Sequence, residues 1–174
     1  MWQRRTFHEC AEELSVISQD FRAAYTNSFG VEEDRRNEKL QRSSERGVEI
    51  LRVLALAVRS EEDFRIIPKT NDLVGAVKPS ATENDVVFTL MYYRPPYNQA
   101  EGFEPLTLRE ALNKIAHADP TRSGFFANDA VHDLILCGIK GNKIWIAILS
   151  IVDLCRVIKS LPDKQINNQR NAAN

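Results

Sequence analysis

The sequence predicts an α+β fold: a long antiparallel helical hairpin plus two further helices, packed with a small antiparallel β-sheet. Three observations predict it. Apolar residues recur at steps of three and four over much of residues 7–58. Two β-rich runs, residues 131–139 and 143–149, flank the turn Lys140-Gly141-Asn142. Two short segments, residues 106–118 and 150–161, combine helix-start chemistry with a helical apolar stripe.

The first helix is expected over residues 6–29. Phe7, Cys10, Leu14, Ile17, Phe21 and Ala24 form a heptad seam, and Gly30 is its natural stop. A second helix is expected over residues 32–61. Its first half is nearly all charged or polar, and its second half carries Val48, Leu51, Leu54, Ala55 and Val58. Gly47 weakens it by about 1 kcal/mol relative to alanine. A hairpin of this length projects beyond a core of this size, which predicts a homodimer through the N-terminal helices.

Pro68, Gly75, Pro79, Pro95 and Pro96 punctuate the middle of the chain. Between them Val86, Phe88 and Leu90 alternate with Val87, Thr89 and Met91, which predicts a strand over residues 86–91. The cluster Tyr92-Tyr93-Arg94-Pro95-Pro96-Tyr97 closes it and reads first as a loop anchored by aromatic packing. A small-molecule site built from these tyrosines is the rarer use of such a cluster.

Thr107 as N-cap and Glu110 three residues on make a capping box for the helix at residues 106–118. Leu108, Ala111, Leu112 and Ile115 are its buried stripe, and Pro120 ends it. In the hairpin that follows, Ile144, Ile146 and Ile148 face one side and Trp145, Ala147 and Leu149 the other. Both faces are apolar, so both should be covered. Ser150 and Asp153 start the last helix, with Ile151, Leu154, Cys155, Ile158 and Leu161 inward and Pro162 as its stop. Residues 1–162 read as one domain, and residues 163–174 as a disordered polar tail.

Composition narrows the function. The 174 residues carry a net charge of −1, too little for strong global attraction to phosphate. Residues 1–60 contain ten acidic and ten basic side chains, so they are no nucleic-acid arm. Cys10, Cys137 and Cys155 form no C-x-x-C pair, which fits buried thiols in a reducing cytoplasm. The longest apolar run, residues 144–152, is broken by Ser150 and far shorter than the roughly 20 residues of a membrane helix. No signal peptide is expected; no Walker loop, G-x-G-x-x-G or G-x-S-x-G is present, and no cofactor is expected. His117, Asp119 and His132 lack the spacing of a metal set, so no metal is expected either. His8, beside Glu9, is expected at the surface. His132 and Asp133 are strand neighbours that point to opposite faces.

The candidate catalytic residues are Arg109, Asn113 and His117. At intervals of four they drift only about 40° per step, so they share one edge of a helix. A guanidinium can hold a phosphate and an imidazole can move a proton near neutral pH, the two tasks of phosphodiester cleavage. Eight residues separate Arg109 from His117, a rise of roughly 12 Å. Both reach one phosphate only at full extension or across a dimer.

The segment Leu112-Asn113-Lys114-Ile115-Ala116-His117-Ala118 resembles the signature of the HEPN superfamily, where an arginine and a polar residue precede a histidine on a bundle helix. Asn113 matches the polar position and His117 the histidine. Leu112 stands at the arginine position, and Arg109 lies one turn earlier. The resemblance implies a metal-independent ribonuclease, or a degenerate relative, in a bacterial or phage defence or toxin–antitoxin system. It also implies RNA as the ligand and paired motifs across a homodimer. The alternative is a non-enzymatic oligomeric interaction or regulatory module with a protein partner, which Leu112 favours.

Overall fold

Two helices lie side by side with Leu14, Ile17 and Phe21 of one facing Leu51, Gly47 and Ser43 of the other, so they run antiparallel. They are α1 (Phe7–Thr26) and α2 (Glu33–Asp63) in a computed structural model that describes residues 6–27 and 32–162. Thr6 and Glu9 close a capping box at the start of α1. Arg46 of α2 fastens the pair, reaching Glu13 of α1 at 2.7 Å. Gly30 and the 163–174 tail lie outside the described residues, so their expected roles do too.

Five antiparallel strands form one sheet in the order β2-β1-β5-β4-β3. They are β1 (Leu73–Ala81), β2 (Glu104–Thr107), β3 (Gly124–Ala127), β4 (His132–Lys140) and β5 (Lys143–Ser150). The expected hairpin is β4–β5, with Lys140 paired to Lys143 across a turn where Gly141 takes φ +61°. The other three strands exceed the sequence expectation. In β1, Gly75 permits an approach to β5 so close that a Cβ would overlap the Ile148 carbonyl. Pro79 sits where the β1–β5 register slips. Pro105 stands in β2, at the sheet edge.

The strand expected over residues 86–91 is instead helix α3 (Glu83–Tyr92). Thr82 accepts a hydrogen bond from the Asp85 amide, and the Asp85 carboxylate accepts one from the Thr82 amide at 2.7 Å. That capping box sets the helix. A segment apolar on nearly every side carries no strand period to oppose it.

Both faces of the sheet are covered, as the hairpin pattern requires. Trp145, Ala147 and Leu149 pack into the larger core with α1, α2, helix α4 (Leu108–His117) and helix α5 (Ile151–Ser160). Ile146 and Ile148 pack into a second core with Val86 and Tyr93. Cys10, Cys137 and Cys155 are all buried free thiols, and burial pushes those of Cys137 and Cys155 up to about 11 and 12. His8 is only partly exposed: its Nε2 donates to the Leu161 carbonyl at 2.7 Å and ties α1 to the end of α5. No helix among the described residues is long and apolar enough to cross a membrane.

Candidate functional site: the groove between α4 and the β4–β5 turn

Helix α4 starts where its sequence says it should. The Thr107 hydroxyl accepts from the Glu110 amide, and Leu108, Ala111, Leu112 and Ile115 are buried beneath it. Burial of that stripe fixes the rotation of the helix, so Asn113, Lys114 and His117 turn toward the β4–β5 turn. There they line an open groove of about 690 Å³ together with Glu110, Lys140 and Trp145. His117 is exposed and Asn113 half-buried.

Arg109 does not join them. Its guanidinium donates to Asp63 Oδ1 at 2.7 Å, to Glu62 Oε2 at 3.1 Å and to the Arg59 carbonyl at 3.3 Å. All three acceptors belong to the end of α2. The Glu62 side chain is 0% exposed, so this ion pair clamps α4 to α2. Of the three predicted site residues, the fold therefore brings Asn113 and His117 to one groove and withdraws Arg109 into carboxylates near the start of the helix.

Two lysines supply positive charge in its place. Lys114 Nζ lies 4.3 Å above the Trp145 ring, a cation–π contact. Its pKa is lowered, first by burial and then by the like charge of Lys140. An anion between the two ammonium groups would relieve that repulsion. Trp145 is only 3% exposed, so it is a platform for Lys114 rather than a surface for stacking a base.

Neither lysine is singled out by helical spacing, although each carries a sequence signal. Lys114 lies inside the segment that carries the family resemblance, and Lys140 opens the glycine turn. Lys114 rests on Trp145, and Lys140 of the β4–β5 turn lines the same groove, a meeting that only the fold shows.

His132 is elsewhere. It begins β4, stacks on Phe21 at 4.8 Å and shares a hydrogen bond with the Ser18 hydroxyl at 2.9 Å. Burial holds its pKa down at about 4, so it is neutral. Its neighbour Asp133 points to the other face and accepts a 2.6 Å hydrogen bond from Tyr93. Among the described residues no group of three His, Cys, Asp or Glu side chains is arranged to hold a metal.

Comparison with family models, with curated proteins and with solved structures returns no match for this chain.

Proposed function

We propose that this protein binds RNA through its phosphate backbone in the α4 groove, as a non-cleaving relative of the HEPN ribonucleases its signature segment resembles. The observation that carries the reading is the convergence of Asn113, Lys114, His117 and Lys140 on one open groove while Arg109 stays in its clamp. Two ammonium groups, an amide and an imidazole can bind phosphate oxygens. Within one chain the groove holds an imidazole, two amines and the Glu110 carboxylate but brings no guanidinium to the pentavalent charge, so binding without turnover is the chemistry we assign to it. A defence or toxin–antitoxin setting, where such a protein would hold or sense RNA, belongs to the same proposal.

A homodimer through the N-terminal helices is its companion. Val53 and Leu56 stand exposed on α2, 48% and 67%, where a second copy would cover them. The exposure of His117 favours one further reading, a ribonuclease completed by a second copy that brings another His117 to the same phosphate.

Fluorescence anisotropy with labelled single-stranded oligouridylate, run as a salt series with the oligomer mass measured alongside, tests these readings. Binding should weaken with salt, and Lys114→Gln with Lys140→Gln should lower the log–log slope by about 1.4, roughly 0.7 for each phosphate no longer neutralised. The RNA should stay intact. Absence of binding at low salt, or binding indifferent to both lysines, refutes the proposal. Cleavage that His117→Ala abolishes would replace it with the ribonuclease.

A further inference from the structure

The second face of the sheet carries a cleft that RNA binding leaves unused. It lies between α3 and residues 100–103, with Ile148 of β5 among its lining residues, and its volume is about 470 Å³. Small-molecule sites span roughly 300–1,000 Å³. Phe88, Tyr92 and Phe103 contribute aromatic walls. Phe88 and Tyr92 are 65% and 58% exposed, with ring centroids 5.1 Å apart. Two large rings left side by side in solvent at the lip of a cavity cost apolar exposure that nothing in the fold recovers.

Lys78, Asp85, Arg94 and the exposed Glu101 are the charged side chains of its lining, two of each sign, and they are unequal in use. Lys78 is paired with Asp85 at 2.7 Å, and that bond, with those from Thr82, holds the Asp85 carboxyl down at about 2. That ion pair is closed and offers no net charge. Arg94 is exposed and donates to the Tyr93 carbonyl at 2.7 Å. Its guanidinium carbon sits 5.7 Å from the centre of the Phe126 ring. Among the described residues it makes no ion pair, so most of its planar donor fork remains available for a carboxylate or phosphate.

The cleft is also held from behind. Tyr93 and Tyr97, which flank Arg94, donate to Asp133 at 2.6 Å and Asp153 at 2.9 Å. Burial and the Asp153 partner push the Tyr97 hydroxyl up to about 12. Two anchored tyrosines leave Arg94 on a braced segment, so little ordering is required when it meets a ligand.

We infer that this cleft binds a flat aromatic molecule bearing one anionic group, with its ring against Phe88, Tyr92 and Phe103 and its charge on Arg94. The inference is independent of the RNA reading, since it uses different residues on the opposite face of the sheet.

Amide chemical-shift titration with 2-naphthoate, and with 2-naphthylmethanol as its neutral counterpart, tests it. Naphthoate should give saturable shifts at the amides of residues 88–94 and 100–103, with a Kd of about 1 mM for a ligand of this size. The alcohol should bind about tenfold more weakly. Arg94→Gln should reduce naphthoate to the level of the alcohol and leave the alcohol unchanged. Tyr92→Ala, exposed enough not to disturb folding, should weaken both. Absence of saturation by about 10 mM, shifts that map to residues 110–117 and 139–141 instead, or an Arg94→Gln variant that still prefers naphthoate would each overturn the inference.

Discussion

Replacing Arg109 with methionine measures what its guanidinium contributes by holding α4 to the end of α2. In Arg109→Met the helix keeps its apolar packing and loses the guanidinium. The Asp63 half of the clamp is 54% exposed and contributes at most about 1 kcal/mol. The Glu62 half is different. Its side chain is 0% exposed, and among the described residues its second oxygen has no hydrogen-bond partner. Removing Arg109 strands that buried charge at a cost of about 3–5 kcal/mol. At about 2–4 °C per kcal/mol for a chain of this size, the melting temperature should fall by about 6–20 °C. Adding Glu62→Leu removes the stranded charge and should restore most of the loss. Urea and thermal unfolding of the two single variants and the double variant measure it. A loss below about 1 kcal/mol in Arg109→Met, or a double variant no better than the single, would refute the clamp and leave Arg109 free to serve as a phosphate ligand.

Two further predictions concern the buried polar groups. His132 has a folded pKa near 4 against an ordinary 6.5. The unfolded chain takes up a proton that the folded chain refuses between those values. The contribution of His132 is therefore complete above pH 6.5 and falls by up to about 3 kcal/mol toward pH 4. His132→Phe keeps a ring against Phe21, so the stability of wild type relative to the variant should shrink as pH drops through that window; parallel curves would disprove it. In Tyr93→Phe the raised pKa of Asp133, set by burial, should rise again as its hydroxyl donor is lost. The penalty should be about 1–3 kcal/mol at neutral pH and smaller in acid, where Asp133 carries a proton; urea unfolding at two pH values decides it.

Much of the architecture is legible in the chain because its local signals agree. The seams of α1 and α2 (apart from Val48, which is 43% exposed), the Thr107–Glu110 box and the two apolar faces of β5 reappear in the fold. Most of the differences arise where tertiary contact decides what local pattern leaves open; the helix over residues 83–92 is the exception, set by a local capping box. Gly75 and Pro79 read as breakers, yet the first serves a close strand approach and the second a register slip in β1. Residues 86–91 looked alternating only because nearly every side chain there is apolar, and the Thr82–Asp85 box was the overlooked cue. At the site, helical spacing correctly set Asn113 and His117 on one edge. It could not show that Glu62 and Asp63, almost fifty residues away in sequence, would take Arg109, because an ion pair between helices leaves no periodic trace.

The groove rests on a glycine, which makes one more substitution informative. Gly138 stands opposite Trp145 in the β4–β5 pairing. A methyl group there would overlap the Trp145 ring and come within 2.8 Å of the His117 carbonyl oxygen. The ring is nearly enclosed and the carbonyl is backbone, so neither side yields cheaply. Gly138→Ala should cost about 1–3 kcal/mol by overpacking. It should also shift the platform under Lys114, so RNA affinity should fall together with the near-ultraviolet signal of the tryptophan. Gly102→Ala is the control. Its φ is +76°, only the end of the Lys78 side chain lies nearby and it is no part of the groove, so it should cost about 1–2 kcal/mol of backbone strain and leave Lys114 on its ring. Comparable stability losses with RNA affinity reduced only in Gly138→Ala would tie the binding site to the packing between Gly138 and Trp145. Equal RNA affinity in both variants would mean that the ring finds room to move and that Lys114 does not depend on it.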